Sequence, residues 1–207
     1  MPRHNFSFPS KVRNAVREYI DRCVLSIDAK RFNQEPAYVV ALIHSLEGIV
    51  YEDSDGYIKF TATNIDDRGK GAAEGWFGAD FVLTATISNG EREIKKAICV
   101  QAKLGTVDEM NAAELDDLKW QIEKMKQFTR SPKIMEIEEF EGVRYPHMAS
   151  GTKVLEDEEF ESTYLSDYVV RRVLTTLDGD TRPKFVEAVQ DSSVPTLEIE
   201  AYTSIKQ

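Results

Sequence analysis

Asp80, Gln101 and Lys103 are the residues whose types and spacing suit chemistry. Gln101 and Lys103 lie in the run KKAICVQAKL. In a strand, alternation puts that amide and that ammonium on one face and Val100 and Ala102 on the other. Asp80 follows Gly78 and Ala79 at the head of the preceding run, FVLTATI. If the two runs pair through the turn SNGERE, with its Asn-Gly signal, Asp80 comes level with Gln101 and Lys103, because the turn closes the far end. A lysine at the end of an apolar run needs a partner, and a glycine before the aspartate permits close backbone approach. Two more carboxylates are candidates. Glu47 interrupts the apolar spacing Val40, Ile43, Val50, and Glu74 stands just upstream of GWFGAD. Carboxylates and an amide carbonyl suit a hard divalent ion, Mg2+ or Mn2+. Such an ion polarises a phosphoryl oxygen and acidifies a bound water. A lysine beside it can assist that water or stabilise developing negative charge. The set fits phosphodiester hydrolysis better than acyl transfer or redox chemistry, and no phosphate loop, dinucleotide fingerprint or Ser-His-Asp arrangement competes with it. The plain alternatives are a solvated sheet face for the trio, a rim acid for Glu47 and an exposed loop acid for Glu74.

The elements that must position these residues follow from periodicity. Val12, Val16, Ile20, Cys23, Val24 and Ile27 predict a helix over about 10–27, with Ser10 as its cap. Glu35-Pro36 opens a second helix, with proline in the first turn, running through AYVVALIHSLEGIV and fraying at Gly48. YIKFTATN reads as a strand, and IDDRGKGAAEGWFG as a glycine-rich connection. After the hairpin, Leu115, Leu118, Ile122 and Met125 predict a helix over about 108–128. KIMEIEEF and GVRYPHMAS read as short strands, 159–177 as a helix stopped by Gly179, and VPTLEIEAYTSI as an edge strand. The order implies an α/β fold, a mixed central sheet flanked by helices, in a single domain over 1–207. Its motif region spans about 36–150, with a C-terminal helix and edge strand in 156–207.

Composition narrows the field. The chain has 207 residues, 42% hydrophobic and 30% charged, with a formal net charge of −10. That charge argues against a general nucleic-acid coater, but not against an enzyme that meets phosphate through a metal and a local basic strip. Arg68 and Lys70, then Arg92, Lys95 and Lys96, then Lys119, Lys124, Lys126, Arg130 and Lys133 are the candidates for such a strip. Trp76 and Phe77 are candidates for base stacking or core packing. No apolar run approaches the roughly 18 residues of a membrane span, and the N-terminus lacks a signal-peptide core. Cys23 and Cys99 read as reduced core thiols, so a cytoplasmic location is expected. No histidine–cysteine spacing suggests zinc.

The pattern E…GAD…QAK followed by LKWQIEKM resembles the PD-(D/E)xK nuclease superfamily, and most closely its QxK branch, found in Mrr-type restriction endonucleases and in nuclease-like proteins of anti-phage systems. The resemblance covers residues 40–130. It implies a restriction-endonuclease-like fold and a Mg2+-dependent nuclease of DNA, with a role in antiviral defence. It implies that Asp80 binds the metal, that Gln101 stands where an acid is usual, that Lys103 is the catalytic lysine, that Glu47 is the first-helix acid, and that Gln121 faces the site. An RNase with the same metal site and an inactive nuclease-fold assembly module are the alternatives. A companion regulatory protein and a homo-oligomer are left open.

Overall fold

A computed structural model of the chain describes residues 6–63 and 78–204. The strands are β1 (Gly48–Asp53), β2 (Gly56–Thr63), β3 (Phe81–Ser88), β4 (Glu93–Leu104), β5 (Lys133–Phe140), β6 (Val143–Ser150), β7 (Thr163–Tyr164) and β8 (Thr196–Thr203). They form one mixed sheet in the order β1-β2-β8-β3-β4-β5-β6-β7. β3 and β4 are the expected antiparallel hairpin, with Phe81 opposite Val100 and Leu83 opposite Ile98. β8 runs parallel to β3 and β5 parallel to β4. The fold is thus the expected α/β one, a mixed central sheet with helices on both faces.

Alternation along the central strands divides the core in two. Phe81, Leu83, Ile98, Val100 and Ala102 face helices α1 (Ser10–Leu25), α2 (Glu35–Ser45) and α5 (Leu165–Tyr168), the last running on as a π-helical turn over Val169–Val173. Val82, Ala97 and Cys99 face α3 (Ala112–Lys126) and α6 (Pro183–Gln190), with the short α4 (Gly151–Leu155) alongside. Each sheet face therefore buries an apolar helix stripe, which is the condition for this layered arrangement. Cys23 and Cys99 are buried free thiols, as expected. Among the described residues no helix is long and apolar enough to cross a membrane.

Several boundaries differ from expectation. α2 stops at Ser45, and Gly48 is already paired with Phe60 in β1. The β-branched and aromatic run Ile49, Val50, Tyr51 suits a strand, so the helical stripe joining Val40, Ile43, Glu47 and Val50 does not form. α1 starts after Pro9 without a side-chain cap, and the Ser10 hydroxyl accepts from Arg13 instead. α3 begins at Ala112, because the Asn111 side chain accepts from the Ala113 and Glu114 N–H groups at 3.0 and 3.1 Å. A 3-10 turn, Val107–Glu109, takes up the residues before it. The helix expected over 159–177 is confined to 165–173, with β7 ahead of it. The C-terminal strand is not an edge. β8 lies between β2 and β3, with Leu197, Ile199 and Ala201 buried and Glu198 and Glu200 exposed. One-sided alternation is the same in an edge strand and an interior one, which is why the sequence does not separate them. α6 was not anticipated.

Lys96, expected on a basic surface, is buried. Its Nζ donates to the carbonyls of Val173 and Asp178, both at 2.6 Å, and to that of Arg172 at 3.4 Å. It thereby supplies donors to the end of the π-helical turn. Gly179, at φ 103°, leaves room for it, since a Cβ there would stand 2.9 Å from Lys96 Cδ. Lys96→Met removes the Nζ donor from the Asp178 carbonyl, while the Val173 and Arg172 carbonyls keep the Thr176 and Asp178 N–H groups, so urea unfolding should show a loss of about 1 kcal/mol or more. An unchanged midpoint would contradict this role.

Candidate functional site

Asp80 sits just before β3 begins, where the hairpin strands part. Its N–H donates to the Val100 carbonyl at 2.9 Å. Its carboxylate Oδ2 accepts the Ala102 N–H at 2.7 Å and the Gln101 side-chain amide. The carboxylate stands in for the strand backbone that β3 no longer provides. Because a carboxylate only accepts, Gln101 must turn its NH2 toward it, which leaves the amide carbonyl Oε1 as the other end. Gln101 is only 2% exposed, so this orientation is held by its surroundings. Gly78, at φ 65°, makes the approach possible. A Cβ there would lie 2.7 Å from the Gln121 carbonyl oxygen, so α3 presses directly on the turn into Asp80.

Lys103 lies two residues beyond Gln101, on the same face. Its ammonium pairs with Glu35 at 3.5 Å, both side chains being about one-fifth exposed. The other carboxylate oxygen of Glu35 accepts the Leu104 N–H at 3.0 Å. Burial pushes the Asp80 carboxyl up to about 6, and the Glu35 charge adds to this. The Ala102 and Gln101 donors and the Lys103 charge oppose it. The charges of Glu35 and Lys103 thus both act on Asp80. The cleft beside them, about 450 Å3, is lined by Glu35, Lys103, Thr106, Glu109, Glu114 and Asp117 among others.

The α2 acid beside Lys103 is Glu35, not Glu47. Glu47 is exposed in the connection between α2 and β1, where its carbonyl accepts the Tyr19 hydroxyl at 2.9 Å. Glu35 occupies the first turn of α2, where an acid is already explained by the helix dipole, so its type alone gave no signal. Glu74, Arg68, Lys70, Trp76 and Phe77 lie outside the described residues. Gln121 does sit beside the Gly78–Asp80 turn, and its Oε1 is buried with no hydrogen-bond partner among the described residues. Glu136 was missed. It is 4% exposed, opposite Lys103 in the β4–β5 register, and it accepts the Val107 N–H at 2.8 Å. Its break in the run IMEI was visible, but not the parallel pairing that aligns it with Lys103. The basic strip is largely spoken for. Lys133 pairs with Asp178 at 2.6 Å, Lys119 with Asp157 at 2.5 Å and Lys126 with Glu156 at 3.6 Å.

Among the described residues, no three of the metal-ligating acids, histidines and cysteines gather as a ready cage. A Mg2+ site asks less of the protein, one or two carboxylates with retained waters. Asp80 and Glu35 are the carboxylates that would hold such an ion, and a cation between them would relieve the upward push of burial and Glu35 on the Asp80 carboxyl. Comparison with family models, with curated proteins and with solved structures finds no match for the chain.

A carboxyl whose folded value lies above its unfolded one withdraws stability as pH rises between the two. For Asp80 that window runs from 3.8 to about 6. In metal-free buffer, Asp80→Asn should therefore raise the melting temperature by a few degrees at pH 7.5, and the gain should vanish near pH 4. A gain that is equal at both pH values would show that the Asp80 charge is not under strain.

Proposed function

We propose that the chain is a metal-dependent nuclease hydrolysing phosphodiester bonds, with DNA as substrate, in a restriction-type or anti-phage role. The observation that carries the reading is the buried Asp80 carboxylate held by the Gln101 amide and the Ala102 N–H, with the Glu35–Lys103 ion pair near enough for both charges to act on it. Asp80 and Glu35 are the residues that would hold Mg2+ or Mn2+, with the Gln101 carbonyl as a neutral oxygen donor. When bound, that ion supplies Lewis-acid polarisation of a phosphoryl oxygen and an acidified water. Lys103 brings a positive charge to the same face, where it offsets the charge that builds on the phosphoryl oxygens. Glu35 holds its ammonium in place by the ion pair. The acid-lined cleft beside Lys103 favours a substrate that arrives with a divalent cation over bare phosphate.

An assembly module that keeps the fold without catalysis is the second reading. It is favoured by the neutral Gln101 where a charged ligand is usual and by the acidic cleft. Incubation of the protein with supercoiled plasmid and with short RNA separates the readings. Mg2+ or Mn2+ should support plasmid nicking, and EDTA should abolish it. Lys103→Ala, Asp80→Ala and Glu35→Gln should each slow it by about 10²-fold or more, while Glu47→Gln leaves it near the wild-type rate. Full activity in Lys103→Ala or in EDTA would end the nuclease reading, and cleavage of RNA alone would reassign the substrate.

A further inference from the structure

The segment between α4 and β7 carries the run EDEEFE, residues 156–161. It lies along α3. Asp157 pairs with Lys119 at 2.5 Å and Glu156 with Lys126 at 3.6 Å. Those lysines are seven positions apart on the helix, hence on one flank and about 10 Å apart along its axis, a span of about three phosphates on one DNA strand. Phe160 packs into the apolar cluster beneath, with Leu115, Leu118 and Ile122 of α3, and anchors the segment while its four preceding acids stay exposed. On the same helix the exposed Trp120 carries the Lys124 ammonium 3.4 Å from its ring centre.

This segment also reaches the site. Asp157, Glu158, Glu159 and Phe160 border a cavity of about 710 Å3 with Thr106, Met110 and Glu136. Thr106 and Met110 line the Lys103 cleft as well. The acidic segment is therefore linked, through Thr106 and Met110, to the cleft lined by Glu35 and Lys103.

We propose that this flank of α3, with Lys119 and Lys126, is the surface that takes the nucleic-acid backbone, and that residues 156–161 occupy it as an internal phosphate mimic displaced by substrate. The proposal rests on the nucleic-acid reading given above and adds its regulation. Lysines matched one to one by carboxylates of the same chain are the charge pattern that a polyanion competes for. The pairs are solvent-exposed, so they hold weakly and are screened by salt. The segment is suited to be exchanged, because only the Phe160 contact is apolar.

The test uses the full chain carrying Lys103→Ala, so that DNA is not consumed, with and without Glu156→Gln, Asp157→Asn, Glu158→Gln and Glu159→Gln together. Those four side chains are exposed, and asparagine tolerates the positive φ of 53° at position 157. Binding to a fluorescent DNA duplex is followed by anisotropy across a salt series. Neutralising the segment should tighten binding about tenfold at 0.1 M salt and steepen the slope of log affinity against log salt by about 2, the value for two newly available phosphate contacts. Adding Lys119→Ala and Lys126→Ala should remove the gain. An unchanged affinity and slope, a gain that survives loss of the two lysines, or no duplex binding by either protein would overturn the proposal. Plasmid cleavage by the chain with Lys103 intact scores the nuclease reading separately, so cleavage with an unchanged salt slope defeats the masking alone.

Discussion

The carboxylate of Asp80 completes the edge of β4 where β3 has not yet begun. By accepting the Ala102 N–H and the Gln101 amide, it does for the backbone what a strand carbonyl would do. A buried backbone donor left without a partner is costly, so the position demands an acceptor, and an amide or hydroxyl would satisfy it without bringing a charge into a poorly hydrated place. The carboxylate is the expensive choice. Burial and the nearby Glu35 both resist its ionisation, so the structural duty alone does not account for it. The cation partner proposed above would offset that cost.

The surroundings are arranged to keep that tension. Gly78 lets α3 press against the turn, Gln101 is immobilised in the core, and Glu35 is anchored to the Leu104 N–H while it holds Lys103. Each group is fixed by a contact other than the one it offers to a ligand. That is the condition for a site organised before its ligand arrives. The second feature is charge. Acids predominate around the cleft, and Lys119 and Lys126 of α3 are matched by acids of the same chain. In the proposed function, the acids lining the cleft make a divalent ion the simplest means for a phosphodiester to enter.

Much of this was legible in the sequence because it depends on local alternation. The meeting of Asp80 with Gln101 needs only a period of two and a hairpin turn, and the strands supply both. The buried stripe of Leu118, Ile122 and Met125 was readable for the same reason. What failed depends on pairing between distant segments. Glu136 meets Lys103 through a parallel register that no local pattern encodes. The interior place of β8 follows from partners on both sides. Lys96 was assigned to the surface by its charge, whereas the carbonyls that hold it come from a turn about 80 residues later. The first-helix acid went to Glu47 because the helical period was carried past Ser45, where strand pairing with β2 had already taken over.

The central claim is that Asp80 and Glu35 form a divalent-cation site beside Lys103. Anomalous diffraction from crystals of the protein soaked in Mn2+ tests it most directly. A peak bounded by the carboxylates of Asp80 and Glu35 is expected in the wild-type protein and not in Asp80→Ala. A map with no peak there, or with its peak among the acids near Glu136 instead, would contradict it.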